Sequence, residues 1–321
     1  SNHIIELTGV KPYQTRLEEL NPEDFVQPEV LDEKAVLKDI FKYKKKTSDA
    51  DVLLLGDTPG MPTTGLLYLA SFLRRNGLKA YCRFYDSAMD SSSMKKEIEE
   101  LLEHFQPKVV AISMKWFLYI ARVIDICKIV KNYSQENSLH IKVVAGGNTA
   151  SYYWEEMIKY DCIDYLVRGD GEEPLLKICQ GEDESNIPNC VYKKNGKIIE
   201  NHFTYVQDVT NSHQIYLSHL DEILLSNHAS MLGTFFIYTH KGCIMNCLYC
   251  AGCNQAQQKT FNRKQVFQRR IEEVRKDIQE TQKYTSTYQF EFDILDKTWW
   301  IIAKKSGKAL IYPTYFVCFP L

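Results

Sequence analysis

The sequence predicts an α/β protein: a doubly wound parallel sheet followed by a smaller, second α/β region. Three observations predict it. Five short apolar runs recur between residues 51 and 167, each followed by a stretch with helical spacing; strands that alternate with helices build a parallel sheet covered on both faces. The runs end in loops rich in Gly, Ser, Thr and Asp, where such a sheet exposes its ligand-binding carboxyl edge. Asn195-Gly196, between Cys190-Val-Tyr192 and Lys197-Ile-Ile199, is a two-residue turn signal that closes an antiparallel hairpin.

The elements follow in order. Residues 1–50 are mixed and charged, punctuated by Pro12, Pro22 and Pro28, and are expected to form an arm with one helix over Leu31–Tyr43. Asp51–Leu55 is a buried strand, and Thr64–Arg75 a helix with Leu67, Phe72 and Leu73 on its apolar side and Gly77 as its stop. Lys79–Phe84 is the second strand, then a helix over Ser93–Phe105. Lys108–Ser113 is the third, then a helix over Tyr119–Asn132. Ile141–Ala145 is the fourth, with a helix after Thr149, and Asp164–Val167 is the fifth, with a short helix from Glu172. The order expected is flavodoxin-like. Residues 51–205 therefore form the first domain, 206–231 a connector with some helical character, and 232–321 the second domain. In the latter, Thr234–Thr239 is a strand, Arg263–Gln282 a long charged helix, Tyr288–Asp293 a strand and 309–316 another.

The strand-end loops carry the binding chemistry of the first domain. They are Gly56-Asp57-Thr58-Pro59-Gly60, Ser113-Met114-Lys115-Trp116, Gly146-Gly147-Asn148-Thr149 and Gly169-Asp-Gly171-Glu172-Glu173. Glycine lets the backbone approach a bulky flat ligand, and small hydroxyls can hydrogen-bond its edge. None of the loops is G-x-G-x-x-G or a P-loop, so a dinucleotide or nucleoside triphosphate is poorly supported.

Beyond Thr239 the chain reads Cys243-Ile-Met-Asn-Cys247-Leu-Tyr249-Cys250, a C-x3-C-x2-C loop. Three thiolates at this spacing can bind three irons of a 4Fe–4S cluster and leave the fourth iron open to a small molecule. Zinc or a redox dithiol is the rival, and Cys253 extends the run, but no second Cys or His pair follows downstream. Cys82, Cys127, Cys162 and Cys179 fall on apolar faces and behave as small hydrophobes. The scattered histidines read as surface or satisfied core, and Arg269-Arg270 as a solvated helix face.

The cysteine loop after a buried strand, with Tyr249 before its last cysteine, resembles the radical S-adenosylmethionine superfamily. That resemblance implies a partial β/α barrel, a 4Fe–4S cluster on Cys243, Cys247 and Cys250, S-adenosylmethionine on the open iron, Tyr249 near the adenine, and Asp293 beside S-adenosylmethionine or substrate. Over about residues 51–200 the loop order is similar to the cobalamin-binding domain that precedes many such barrels. It implies cobalamin contacts from Gly56, Asp57, Thr58, Pro59, Ser113, Met114, Lys115, Gly146, Gly147, Asn148, Thr149, Gly169, Gly171 and Glu172. Where cobalt-ligating relatives read D-x-H-x-x-G, this chain has Asp57-Thr-Pro59. Proline cannot coordinate cobalt, so no His ligand from the first loop is expected. The resemblance implies methyl transfer to an unactivated carbon through an adenosyl radical and methylcobalamin, on a small-molecule or peptide substrate, with an electron donor such as flavodoxin or ferredoxin. From Thr234 only 88 residues remain, against about 250 for a complete barrel. A non-catalytic cobalamin carrier with a residual cluster loop is therefore the alternative.

Composition narrows the rest. Net charge is −2 from 39 basic and 41 acidic residues, which argues against a general nucleic-acid or membrane-surface binder. No apolar run reaches bilayer length, the polar start shows no signal pattern, and ten cysteines in such a chain read as thiols or metal ligands. A cytoplasmic location is expected.

Overall fold

The structure, a computed structural model, describes residues 49–57, 64–86, 88–115, 117–210, 215–224, 234–248, 250, 252–281 and 287–291. The expected helix over Leu31–Tyr43 and the expected strand over 309–316 lie outside these residues. All described residues belong to one compact unit.

Seven strands make one sheet: β1 (Val52–Asp57), β2 (Ala80–Tyr85), β3 (Val109–Ser113), β4 (Lys142–Gly146), β5 (Tyr165–Val167), β6 (Cys190–Lys194) and β7 (Lys197–Glu200). Their order is β2-β1-β3-β4-β5-β6-β7. The first five run parallel and the last two antiparallel, the flavodoxin-like order with an added hairpin. Every residue of β1 is buried, as a central strand covered on both faces demands.

The covering helices are α1 (Thr64–Arg75), α2 (Ser91–Phe105), α3 (Ile120–Glu136), α4 (Asn148–Tyr152), α5 (Trp154–Met157) and α6 (Glu172–Gln180). Helix α2 starts two residues before its apolar pattern. The Asp90 carboxylate accepts from the Ser92 and Ser93 backbone N–H groups, both at 3.0 Å, and caps it. Gly181, at φ 73°, ends α6 in the left-handed conformation.

The two ends of the sheet are closed differently. Helix α7 (Leu220–Leu224) packs on β2, where Arg83 Nη1 donates to the Ile223 carbonyl at 3.1 Å. At the other end, Lys197 and Glu200 of β7 are exposed.

The later chain adds β8 (Thr234–Tyr238), β9 (His240–Lys241), α8 (Asn254–Phe261), β10 (Phe267–Gln268), α9 (Ile271–Thr281) and β11 (Thr287–Glu291). Strands β8 and β11 pair parallel, and β9 and β10 pair antiparallel. Phe235, Ile237 and Val274 join Val52, Leu54 and Leu67 in one apolar core, so burial of a shared surface fixes the β8–α9 region against α1.

Two expectations are corrected. The long helix over Arg263–Gln282 is shorter: residues 263–270 are non-helical and include β10, and α9 begins at Ile271. Arg269 is not on a solvated face. Its side chain is fully buried against Asp277, with Nη1 2.7 Å from Oδ2, and Nη2 donates to the Ile215 carbonyl at 2.6 Å. Tyr68 donates to the same Asp277 oxygen at 2.5 Å, so the network ties α1, α9 and the connector together.

Candidate functional site

The carboxyl ends of β3, β4 and β5 open into a cavity of about 330 Å³. Its walls are apolar side chains of the sheet, Ala111, Val144 and Val167, facing Leu66 and Leu69 of α1 and Leu175 of α6. Its rim is polar or small. A slot between a sheet and its covering helices, at the carboxyl edge, is where doubly wound folds take ligands.

Backbone hydrogen bonds lock the rim loops to one another. Met114 N–H donates to the Gly146 carbonyl at 2.7 Å, and Thr149 N–H to the Met114 carbonyl at 3.0 Å. The Ser151 hydroxyl donates to the Gly147 carbonyl and accepts from the Gly169 N–H, each at 2.8 Å. Gly147 has φ 100°, and a Cβ there would sit 3.0 Å from the Met114 carbonyl oxygen. Only glycine therefore lets the β3 and β4 loops touch.

Of the residues singled out in the sequence, Ser113, Lys115, Gly146, Gly147, Asn148, Gly169, Gly171 and Glu172 line this cavity. Gly56 and Asp57 close β1 as buried residues and are not among its lining. Met114 and Thr149 are also buried; they brace the loops, the Thr149 hydroxyl donating to the Lys115 carbonyl at 3.2 Å. Thr58, Pro59, Tyr249 and Asp293 lie outside the described residues.

Sequence reasoning missed the charges beneath the rim. Arg263 Nη2 donates to both oxygens of Asp170, at 2.8 and 2.7 Å. Lys241 Nζ donates to Asp170 Oδ1 and Glu172 Oε1, each at 3.1 Å, and the Gln207 N–H donates to Asp170 Oδ2 at 2.9 Å. Burial alone would push the Asp170 carboxyl up, but Lys241 and Arg263 outweigh it and hold it below its ordinary range. Burial likewise disfavours the Lys241 ammonium, and Asp170 and Glu172 reverse that, so Lys241 stays a cation. The Gly-Asp-Gly-Glu pattern was a signal for Asp170, but its partner lies 93 positions away.

Lys241 also lines the cavity and stands two residues before Cys243. Between them Gly242 has φ 106°, and a Cβ there would lie 3.0 Å from the Gln265 carbonyl oxygen. The start of the cysteine loop is thus held from two sides, by the Asp170–Glu172 carboxylates and by the 263–267 segment. Past that anchor the loop opens. Cys243, Cys247 and Cys250 are partly exposed, Leu248 is fully exposed, and Cys253 is buried at the start of α8. Among the described residues, no three His, Cys, Asp or Glu side chains are gathered to hold a metal ion. The structure brings the three cysteines into one loop and does not converge their sulfurs.

Comparison with known proteins agrees with this geometry. Residues 57–178 match the B12 binding domain. No curated protein gives a significant match. Among solved structures, the chain is similar to TsrM from Kitasatospora setae, a radical S-adenosylmethionine methyltransferase with tryptophan substrate and a SAM analog bound. The identity is 16% and the TM-score 0.55, over 75% of this chain and 47% of that one. It is also similar to OxsB, a cobalamin-dependent S-adenosylmethionine radical enzyme with aqua-cobalamin and S-adenosylmethionine bound, at 15% identity and TM-score 0.57, over 75% of this chain and 34% of that one. Another structure of TsrM, with cobalamin and a [4Fe-4S] cluster bound, matches at 15% identity and TM-score 0.55. The chain spans about half of TsrM and a third of OxsB. The chain shares its fold with the matched parts of these structures.

Proposed function

We propose that this chain, with a B12-binding fold over its parallel sheet, acts as a cobalamin-dependent radical S-adenosylmethionine enzyme that transfers a methyl group to an unactivated carbon. The observation that carries the reading is the junction at Lys241, one residue that lines the sheet-edge slot and leads into the C-x3-C-x2-C loop.

The slot suits part of a corrinoid. Its volume of about 330 Å³ is near the lower end of small-molecule sites, about 300–1,000 Å³, and fits a nucleotide tail, not a whole corrin. Gly146 and Gly147 leave its wall without side chains, and Ser113 and Asn148 offer polar atoms at its rim. Cobalamin, when bound, would supply a transferable methyl group, and a cluster with S-adenosylmethionine would supply a carbon radical. The chain's own residues hold the tail between α1, α6 and the sheet, exclude water with Leu66, Leu69 and Leu175, and keep the mouth of the slot fixed to the cysteine loop. Pro59 stands where cobalt-ligating relatives have His and has no side-chain ligating atom, so the first loop would offer cobalt no imidazole. The substrate is a small molecule or peptide, and an electron donor such as flavodoxin or ferredoxin supplies reducing equivalents. Cys243, Cys247 and Cys250 are the iron ligands on this reading, which rests for them on spacing alone.

The match of residues 57–178 to the B12 binding domain is by itself also compatible with a second reading, a cobalamin carrier without catalysis. Anaerobic reconstitution tests both. Corrinoid binding, iron and sulfide uptake, and release of 5′-deoxyadenosine under reductant support the enzyme. Corrinoid binding without cleavage leaves the carrier, and a protein that binds no corrinoid ends both.

A further inference from the structure

Residues in register on β3 and β4 give the slot its depth. Ala111 pairs with Val144, and Ser113 with Gly146, and all four line the slot. Ser113 and Gly146 end their strands, so Ala111 and Val144 lie two residues deeper, about 7 Å at the rise of a strand. Across from them stand Leu66, Leu69 and Leu175. Strands β3 and β4 are interior to the sheet, so their peptide groups at this level are bonded to neighbouring strands. The polar lining residues come from the strand-to-helix junctions after β1, β3, β4 and β5 and from β9. The slot therefore has a polar mouth and an apolar floor without a hydrogen-bonding side chain.

A nucleotide tail has the same polarity along its length. Its phosphate and ribose match the mouth, where Ser113, Lys115 and Asn148 stand. The flat base is the part that reaches Ala111 and Val144. Cobamides differ in that base. In cobalamin it is dimethylbenzimidazole, which carries two methyl groups and one ring nitrogen besides the one on the sugar. In others it is adenine, which adds an exocyclic amine and further ring nitrogens. A polar group moved from water to a place without a partner is penalised.

Resting on the cobalamin reading above, we propose that Ala111 and Val144 are specificity-determining residues: the floor they form selects cobamides with an alkylated benzimidazole base over cobamides with a purine base. Dimethylbenzimidazole brings two methyl groups to an apolar surface. Adenine brings an amine donor and ring acceptors that this floor leaves unpaired.

The test is a spectrophotometric titration of the purified full chain with cobalamin, its adenine-containing analogue and cobinamide, which lacks the tail. Each affinity is corrected for the fraction of the free cofactor whose base is already off cobalt, read from its own spectrum. The wild type binds cobalamin at least about tenfold more tightly than the adenine analogue, the scale of one buried polar group left unpaired. Cobinamide binds more weakly than cobalamin. Val144→Thr puts a hydroxyl on the floor at nearly constant shape and reduces the preference at least about threefold, as one neutral hydrogen bond can. Ala111→Ser, at the paired position, acts in the same direction. Val143→Thr, at a buried position on the opposite face of β4, leaves the preference unchanged. A wild-type preference short of about tenfold, an unchanged preference in both floor variants, or a shift in Val143→Thr as large as in Val144→Thr would each overturn the base assignment while leaving corrinoid binding intact. Cobinamide bound as tightly as cobalamin would overturn it as well, because the tail would then lie outside the slot. A wild type that binds none of these ligands removes the cobalamin reading itself, and this inference with it.

Discussion

Asp170→Asn tests the junction between the sheet and the cysteine loop. Asp170 is 6% exposed and receives Arg263, Lys241 and the Gln207 N–H. Asparagine keeps one acceptor and removes the charge. Arg263, with a side chain 5% exposed, then loses its carboxylate and keeps Gln257 and the Phe261 ring; among the described residues, Lys241 keeps Glu172 as its ion-pair partner. Stranding one partner of a buried ion pair costs about 3–5 kcal/mol. For a body of this size that is roughly 10 °C in melting temperature. The measurement is urea and thermal unfolding of Asp170→Asn, Arg263→Met and the double variant. The double variant is expected to recover about 2 kcal/mol or more relative to the sum of the singles. Trypsin should also cut after Lys241 faster in Asp170→Asn, because the loop anchor has loosened. Additive single effects, or an Asp170→Asn melt within 2–3 °C of wild type (under about 1 kcal/mol), would refute the reasoning.

Three other outcomes are expected. Gly147→Ala forces a side chain into a left-handed backbone and onto the Met114 carbonyl, and should destabilise by about 3 kcal/mol. Gly77→Ala, at φ 85° with nothing within 4 Å of its Cβ, should cost about 1 kcal/mol; equal losses in chemical denaturation would contradict the close approach at Gly147. Glu97 in α2 has its carboxyl pushed up to about 7 by burial, with Asp86 and Glu100 adding to it. Its folded value exceeds the unfolded one, so its contribution is fully present below the ordinary 4.5 and lost as pH rises through 7. Glu97→Gln should match wild type near pH 4.5 and be more stable at pH 8, by up to about 3 kcal/mol; a constant difference across that range would exclude titration of Glu97. Replacing Cys243, Cys247 and Cys250 together by Ala should abolish iron uptake in anaerobic reconstitution and leave corrinoid affinity within about twofold; parallel loss of both would show that the loop supports the slot structurally.

The sheet was legible because each strand is a short, apolar, branched run ended by small residues. Strands β1 to β5 begin within one residue of expectation, and the Asn195-Gly196 turn located the hairpin. Helix α8 was not legible. Asn254–Phe261 has only Ala256 and Phe261 as apolar residues and buries only Thr260, so it carries no apolar stripe to read. The start of α9 was misjudged for the opposite reason. Charged residues continue smoothly from Arg263, but Arg263 is drawn to Asp170 and Phe267 pairs with Lys241 across β9 and β10. For the site, the glycines and Ser113 were visible because a sheet edge needs small residues wherever a ligand approaches. The pairing of Asp170 with Lys241 and Arg263 was not, because a long-range ion pair leaves no local pattern. Arg269 looked solvated because it was read inside one long charged helix; it lies just before α9, and its side chain reaches Asp277 and the Ile215 carbonyl.

The treatment of the sheet's two borders limits how this molecule can assemble. Recruitment of another polypeptide by adding a strand needs a bare, flat margin of unpaired peptide groups. Here one margin lies under α7, and the other, β7, carries the charged Lys197 and Glu200 on either side of Ile198 and Ile199, with Glu200 paired to Arg168. Zipper-like main-chain pairing of another polypeptide with this sheet is thereby disfavoured, and contact through side chains on its loops and helices is favoured.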